Sequence, residues 1–205
     1  MNNQLPSVIL QNAVEALRTL PGVGSRTALR YALNLMRRTQ PEVEHFTTAV
    51  SRLKTDLKTC RRCCNVSDSD LCPICSSPKR DNTTLCVVEN VQDVMAIENT
   101  NSYNGLYHVL GGVLSPIDGI RISDLNIAQL LARIPAEPIA EVILALPTTM
   151  EGDTTNFYLN KQLAPLHVRV STLARGVAIG DNLEYADEVT LGQSIVNRIP
   201  FSTPN

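Results

Sequence analysis

Between residues 60 and 75 the chain reads CRRCCNVSDSDLCPIC, and five of its six cysteines fall in those sixteen positions. Cys60 and Cys63 form one C-x2-C pair, and Cys72 and Cys75 form a second after eight intervening residues. A two-residue gap lets both sulfurs of a pair point into one turn. Two such turns facing each other complete a tetrahedral thiolate site, which suits Zn²⁺. Four protein ligands leave no open position, so the expected ion is structural, one per chain. The segment is too short and polar to bury a core of its own, and metal binding contributes about 10–16 kcal/mol of apparent free energy to units of this kind. Pro73 helps the second turn. Cys64 is spare, and Cys86 lies in an apolar run where it reads as a small buried residue. Arg61 and Arg62 are open to two readings, phosphate contact or plain solvation.

Metal binding by grouped cysteines presupposes reduced thiols. The N-terminal stretch has neither a basic leader region nor an unbroken apolar run, and no segment approaches the roughly 18 apolar residues that span a bilayer. The expectation is a soluble cytoplasmic chain with no membrane partner, in which clustered cysteines hold metal rather than cross-link. Its 205 residues suffice for one sizeable domain or two small ones. Trp is absent and aromatics are few, which argues against a surface that reads single strands by many aromatic stacks. Net charge is only −2, but it is unevenly spread. Residues 1–62 hold ten Lys/Arg against four Asp/Glu, a net +6, and residues 63–205 hold eight against sixteen, a net −8. That asymmetry points to a basic arm that meets phosphate and an acidic body with another task.

The hydrophobic period changes at the cysteines. Before them, Leu5–Leu20, Ser25 to about Gln40 and Pro41 to about Lys58 read as helices, with Ser25 as a cap and Pro41 as a first helical residue. After them, TTLCVVE, AEVILALP (140–147) and VRVS (168–171) read as strands, and a further short strand precedes the glycine-rich stretch 107–120. Helical patterns at Val91–Asn99, Ser123–Arg133 and about Asp153–Leu163 lie between them, and the tail over 182–198 turns helical near its end. Alternating strand and helix implies a parallel sheet covered by helices, so the fold class is α/β with an N-terminal all-α arm.

LPGVGSRTALR (20–30) joins the first two helices. Pro21 stops one helix, Gly22 and Gly24 permit a tight turn with free N–H groups, and the next helix starts at once. Free N–H groups and a helix dipole together make a phosphate site. Arg26, Arg30 and Arg37 fall within about 40° on a helical wheel, with Ala28, Tyr31 and Leu35 on the face expected to pack inward. This resembles a helix-hairpin-helix, which grips nucleic-acid backbone without reading sequence.

In the body, Glu89 ends the first strand and Asp93 lies one turn into the next helix, while Glu151 and Asp153 follow the 140–147 strand. Ligands of open parallel sheets bind at the carboxyl ends of strands, so these acids are placed to converge and hold Mg²⁺. They are equally placed to complement helix dipoles. Gly111-Gly112 either approaches a phosphate or simply turns the chain, and His108, in an apolar context, reads as a core histidine. No Walker A sequence is present.

The order of these parts resembles the RecR family of bacterial recombination mediators over essentially the whole chain. The stretches that carry the likeness are LPGVGSRTALR, C-x2-C-x8-C-x2-C, CVVENVQDVMAIE, YHVLGGVLSPIDGI, EVILAL with EGDTTNFYL, and LARGVAIGDNLEYADEVTLG. The resemblance implies a helical arm over 1–58, a four-cysteine zinc finger over 59–78, a Toprim α/β domain over 83–178 and an oligomerisation segment over 179–205. It implies a nucleoid-associated, non-enzymatic protein that binds DNA and works with RecO and RecF to load recombinase at single-stranded gaps. It also implies a ring-shaped homo-oligomer, commonly a tetramer. By position, Arg26 and Arg30 match the hairpin's DNA-binding residues, Glu89 and Asp93 the partner-binding acids, and Cys60, Cys63, Cys72 and Cys75 the zinc ligands. The chain departs from the family pattern at Arg26 (often Lys), at Cys64 (often Gly) and at LPTT over 146–149 (usually Thr-Asn-Pro-Thr). Two other readings compete: a Toprim enzyme using Mg²⁺ at Glu89, Glu151 and Asp153, and a module whose zinc unit only organises dimers. The later acidic pair is ExD rather than the DxD of such enzymes, and the basic arm argues against the plain module.

Overall fold

The computed structural model describes residues 5–177, 180 and 182–198. Of the expected C-terminal segment, residues 179, 181 and 199–205 lie outside the described residues, as does residue 178 at the end of the expected α/β domain. The chain divides into two compact units, Met1–Leu57 and Lys58–Asn205.

The first unit is helical. Helix α1 (Val8–Arg18) starts where the Ser7 hydroxyl accepts the Leu10 N–H at 3.4 Å. It packs on α2 (Ser25–Met36) through Val14, Ala28 and Ala32, with Leu10, Leu17 and Leu29 around them. The two alanines are what lets the helices approach closely. Tyr31, expected inside, is exposed instead, because Ala32 takes the inward position. Gly24, not Ser25, is the cap of α2: its extended backbone presents the carbonyl that accepts the Ala28 N–H at 2.9 Å, and Ser25 is already helical. Helix α3 (Gln40–Thr55) begins one residue before Pro41. The Glu42 carboxylate reaches back to the Thr39 N–H and hydroxyl, each at 2.8 Å, and fixes that start.

In the second unit a two-residue hairpin, β1 (Lys58–Thr59) against β2 (Val66–Ser67), and a one-turn helix α4 (Pro73–Ser76) frame the cysteines. Beyond them lie β3 (Thr84–Val88), α5 (Val91–Asn99), β4 (Leu106–Val109), α6 (Ile127–Arg133), β5 (Glu141–Ala145), α7 (Met150–Leu163), β6 (Arg169–Thr172) and α8 (Glu188–Val196). Strands β4-β3-β5-β6 form one sheet in that order, every pair parallel. Burial on both faces explains why β3 is a continuous apolar run. Leu85 and Val87 turn to one side, with Leu130, Leu159 and Leu163; Cys86 and Val88 turn to the other, with Val94 and Tyr107. Gly111 (φ +86°) and Gly112 (φ +155°) turn the chain after β4. Helix α6 starts four residues later than expected, because residues 122–124 form a separate 3-10 turn closed by Asp124 on the Arg121 N–H. Helix α7 starts three residues early, since the Thr149 hydroxyl accepts the Gly152 N–H at 3.1 Å.

Two buried points anchor the sheet. His108 is fully buried, with Nε2 2.8 Å from the Asn126 carbonyl. Burial pulls its pKa down to about 4. Gly152 lies against the Pro147 carbonyl, where a Cβ would sit 2.0 Å from that oxygen.

Two expected outcomes follow from these points. Gly152→Ala must displace the Pro147 backbone, and urea unfolding should show a loss of at least about 1–3 kcal/mol. A wild-type stability would mean the turn yields freely. His108 stays neutral in the fold, so its contribution is fully present above about pH 6.5 and is lost as pH falls toward 4. Acidification across that window should cost the wild type about 3 kcal/mol more stability than it costs His108→Gln. Equal pH slopes in unfolding measurements would contradict this.

Candidate metal centre and nucleic-acid interface

The four cysteines arrive from two turns. Cys60 follows β1, and its N–H donates to the Asn65 carbonyl at 2.7 Å. Cys64 N–H then closes the first turn on the Cys60 carbonyl at 2.9 Å, with Cys64 itself at φ +60°. That left-handed conformation explains why glycine suits this position. Here the Cys64 side chain instead packs, half-buried, against the Cys86 and Val88 side of the sheet. Cys72 caps α4, Pro73 is its first residue, and Cys75 lies on its single turn.

All four sulfurs are buried and lie within 4.8 Å of one another, and Cys63 Sγ is 3.6 Å from Cys72 Sγ. A tetrahedral thiolate site with metal–sulfur bonds of about 2.3 Å has sulfur–sulfur edges of about 3.8 Å, so a donor set this compact suits zinc. The Cys72 N–H donates to Cys60 Sγ at 3.3 Å and the Cys75 N–H to Cys72 Sγ at 3.5 Å, which favours thiolate. Burial works against ionisation of Cys60, but the N–H groups of Cys72, Arg62 and Cys63 prevail and lower its pKa. The neighbouring Cys75 sulfur, then burial, push the Cys63 thiol far up. Four thiolates in this space therefore need a cation among them.

Arg62 is not simply solvated: three of its five N–H donors are committed within the chain. Its guanidinium grips Glu137 through Nε (2.8 Å) and a terminal nitrogen (2.9 Å), and its other terminal nitrogen donates to the Cys75 carbonyl at 3.0 Å. Arg133 donates to the same Glu137 at 3.0 Å and to the Tyr107 carbonyl at 2.7 Å. Burial opposes ionisation of Glu137, yet the two arginines hold its pKa below the usual range. The Cys63 carbonyl accepts the Val109 N–H at 2.8 Å. Together these contacts bind the four-cysteine unit to the sheet. Arg61 is exposed.

In the first unit, Gly22 (φ +75°) makes the turn before α2, and the space beside Gly22 and Gly24 is open. The backbone there is uncovered. Arg26, Leu29, Arg30, Leu33, Asn34 and Arg37 line a shallow groove along α2. Arg30 lies over the Tyr31 ring at 5.5 Å, and Arg37 caps the helix. With no Asp or Glu in α2, the arginine face is uncompensated.

The four acids of the body do not gather. Among the described residues, the cysteine quartet is the only group of three or more His, Cys, Asp or Glu whose ligand atoms approach within 4.8 Å. Asp93 is drawn to its own helix start: its carboxylate accepts the Asn90 N–H at 2.9 Å, while Asn90 Oδ1 accepts the Asp93 N–H at 3.2 Å. Burial, then the Asp93 charge, raise the pKa of Glu89. Glu151 and Asp153 lie in the first turn of α7, and Asp153 pairs with Arg175, which lowers its pKa. Sequence reasoning missed Arg133, Glu137 and Arg175. The four-residue spacing of Arg133 and Glu137 was visible, but their meeting with Arg62, 75 residues from Glu137, was not.

Comparison with known proteins covers nearly the whole chain. Residues 10–53 match the family model described as RecR, helix-hairpin-helix; 57–77 match the RecR zinc-finger domain with four cysteines; 83–174 match Toprim domain; and 176–199 match RecR, C-terminal. A "Recombination protein RecR" of Porphyromonas gingivalis is 57% identical over 202 residues, 98% of each chain. Proteins of the same name from Bacteroides thetaiotaomicron and Flavobacterium johnsoniae are 54% and 48% identical, over 98% of each chain for the first, and 97% of this chain and 96% of the relative for the second. No helix among the described residues is long and apolar enough to cross a membrane. With a four-cysteine metal site, an α-helical hairpin and a parallel sheet domain in this order, the chain belongs to the RecR family of recombination proteins.

Proposed function

We propose that this chain is a DNA-repair mediator that binds nucleic-acid backbone through its arm, without reading sequence, and performs no catalysis itself. Gly22, Gly24, Arg26, Arg30 and Arg37 form the contact, the open turn supplying N–H groups and the arginines supplying charge. Cys60, Cys63, Cys72 and Cys75 hold one structural Zn²⁺. Glu89, Asp93, Glu151 and Asp153 face partner proteins of the RecO and RecF type, with which the chain loads recombinase at single-stranded gaps. It acts as a ring-shaped homo-oligomer, a tetramer by family likeness, in the nucleoid-associated cytoplasm. The division into arm (1–58), zinc finger (59–78), Toprim domain (83–178) and oligomerisation segment (179–205) belongs to the same reading. The observation that carries it is the uncompensated arginine face of α2 beside an uncovered glycine turn.

The experiment is DNA binding by the zinc-loaded protein, titrated with salt, with and without a RecO-type partner and with Mg²⁺. Salt-sensitive binding that the partner strengthens, with the DNA left intact, supports the mediator. Cleavage, relaxation or primer synthesis that Glu89→Gln abolishes would replace it with an enzyme.

The Arg26→Ala/Arg30→Ala variant should weaken binding to all sequences alike and lower the salt slope by up to about 2, one for each lost phosphate contact. An unchanged slope would remove the hairpin from the interface. Cys63→Ser should bring zinc, measured by atomic absorption, from one per chain to nearly none, with a lower thermal midpoint. Retained stoichiometric zinc would show that three thiolates suffice.

A further inference from the structure

A groove in the second unit combines Arg61, Arg62 and Leu71 of the four-cysteine unit with Gln129 and Arg133 of α6 and with Glu137. Three guanidinium groups against one carboxylate leave it at a net +2. The unit that carries it has the opposite sign: residues 58–205 hold eleven Lys/Arg and sixteen Asp/Glu, a net −5. A cationic groove on an acidic unit is not a by-product of basic composition.

Its charges are also arranged unequally. Glu137 is committed: one oxygen accepts from Nε of both Arg62 and Arg133, and the other accepts from a terminal nitrogen of Arg62. The carboxylate therefore fixes two guanidinium planes and does not reach Arg61. Arg62 uses three of its five N–H donors in these contacts and that to Cys75, which leaves two. Arg61 is exposed, and its side chain makes no hydrogen bond or ion pair among the described residues. Its backbone is nonetheless held, the Arg61 N–H donating to the Asp70 carbonyl at 3.0 Å. The groove thus offers one free guanidinium on a fixed backbone, beside a second that is pre-oriented.

We propose that this groove binds a phosphodiester of a nucleic-acid backbone and gives the chain a second phosphate contact besides the hairpin. Arginine forks match such oxyanions. An acidic protein segment would carry the same sign of charge, but protein partners anchor through bulky side chains in apolar sockets, and only Leu71 and Ala132 give this groove apolar walls. The inference rests on the DNA-binding reading above and extends it to the zinc unit.

The test measures binding of a labelled 30-nucleotide strand, and of the same sequence as duplex, by full-length zinc-loaded protein across a salt series. Arg61→Ala, Arg61→Glu and Arg26→Ala/Arg30→Ala are compared, and a labelled polyglutamate peptide is titrated in parallel. Because Arg61 is exposed and unpaired, zinc content and thermal midpoint should stay at wild-type values. Arg61→Ala should lower the salt slope by about 1, Arg61→Glu should weaken binding further, and both effects should add to those of the arm variant. If Arg61→Glu binds DNA with wild-type affinity and slope while the arm variant fails, the groove assignment falls and the arm reading stands. If the wild type binds neither DNA form, both fall. If Arg61→Glu loses only polyglutamate, the groove belongs to an acidic protein segment and the phosphate assignment is overturned.

Discussion

Strand β4 is an edge of the sheet, and an edge strand presents backbone groups with no strand to pair them. Here the four-cysteine unit covers it. The Val109 N–H finds the Cys63 carbonyl, and the Tyr107 carbonyl finds Arg133. Arg133 is aimed by Glu137, and Glu137 is shared with Arg62 inside the first cysteine pair. The metal site and the sheet edge are therefore one construction. Order at the cysteines fixes Cys63 and Arg62; these fix the partners that close β4. Ile74, between the two ligands of α4, packs against both faces of the sheet core and against the cysteines, so the same coupling is apolar as well as polar. Without a cation, four crowded buried sulfurs resist joint ionisation, and the unit that closes the edge loses its centre. A structural metal here matters for what lies beyond its own short loop.

Much of this was legible in the residues. The cysteine spacing, the change of hydrophobic period, the buried run Leu85–Val88 and the apolar run Val142–Ala145 each carry a local signal of their own. The glycine turn and the arginine stripe are likewise local, since Gly22 needs its left-handed backbone and a helix places positions 26, 30 and 37 together. What escaped depends on distant chain segments or on competition between neighbours. Arg62 reads as a surface cation until Glu137 arrives from across the sequence. Tyr31 reads as a core residue until Ala32, smaller and one position on, takes the contact with α1. Ser25 reads as a cap, yet Gly24 already supplies the extended residue that opens the helix. The starts of α6 and α7 were displaced because side chains of Asp124 and Thr149, not the apolar period, decide where the first turn closes.

The departures from family pattern have separate physical readings. At Cys64 the left-handed backbone favours glycine, but the thiol recovers packing against the sheet, so strain and burial offset each other. At Pro147 the missing N–H costs the turn a donor, while the carbonyl is pressed against Gly152. That contact makes Gly152 a positional requirement: the backbone of the 146–149 turn and the first turn of α7 meet with no room for a side chain. Thr149 then caps the helix from the same turn, so the segment holds its geometry through a carbonyl contact and a hydroxyl rather than through an amide at position 147.

The acids at the carboxyl ends of the strands are held lightly. The Asn90–Asp93 reciprocal cap is a contact worth about 1 kcal/mol, and the half-exposed Asp153–Arg175 pair is worth about 0–1 kcal/mol once solvent screening is counted. Burial, then the neighbouring Asp93 charge, raise the pKa of Glu89. A bare cation site would show the reverse, with three or more carboxylates drawn together. What these residues offer instead is exchange. A basic side chain from a partner can take Asp153 from Arg175, or relieve the repulsion between Glu89 and Asp93, at a cost smaller than one good interfacial ion pair returns. On the proposed reading, the weak local commitments of these acids, Asp93 in the cap of α5 and Asp153 with Arg175, leave them available to a partner.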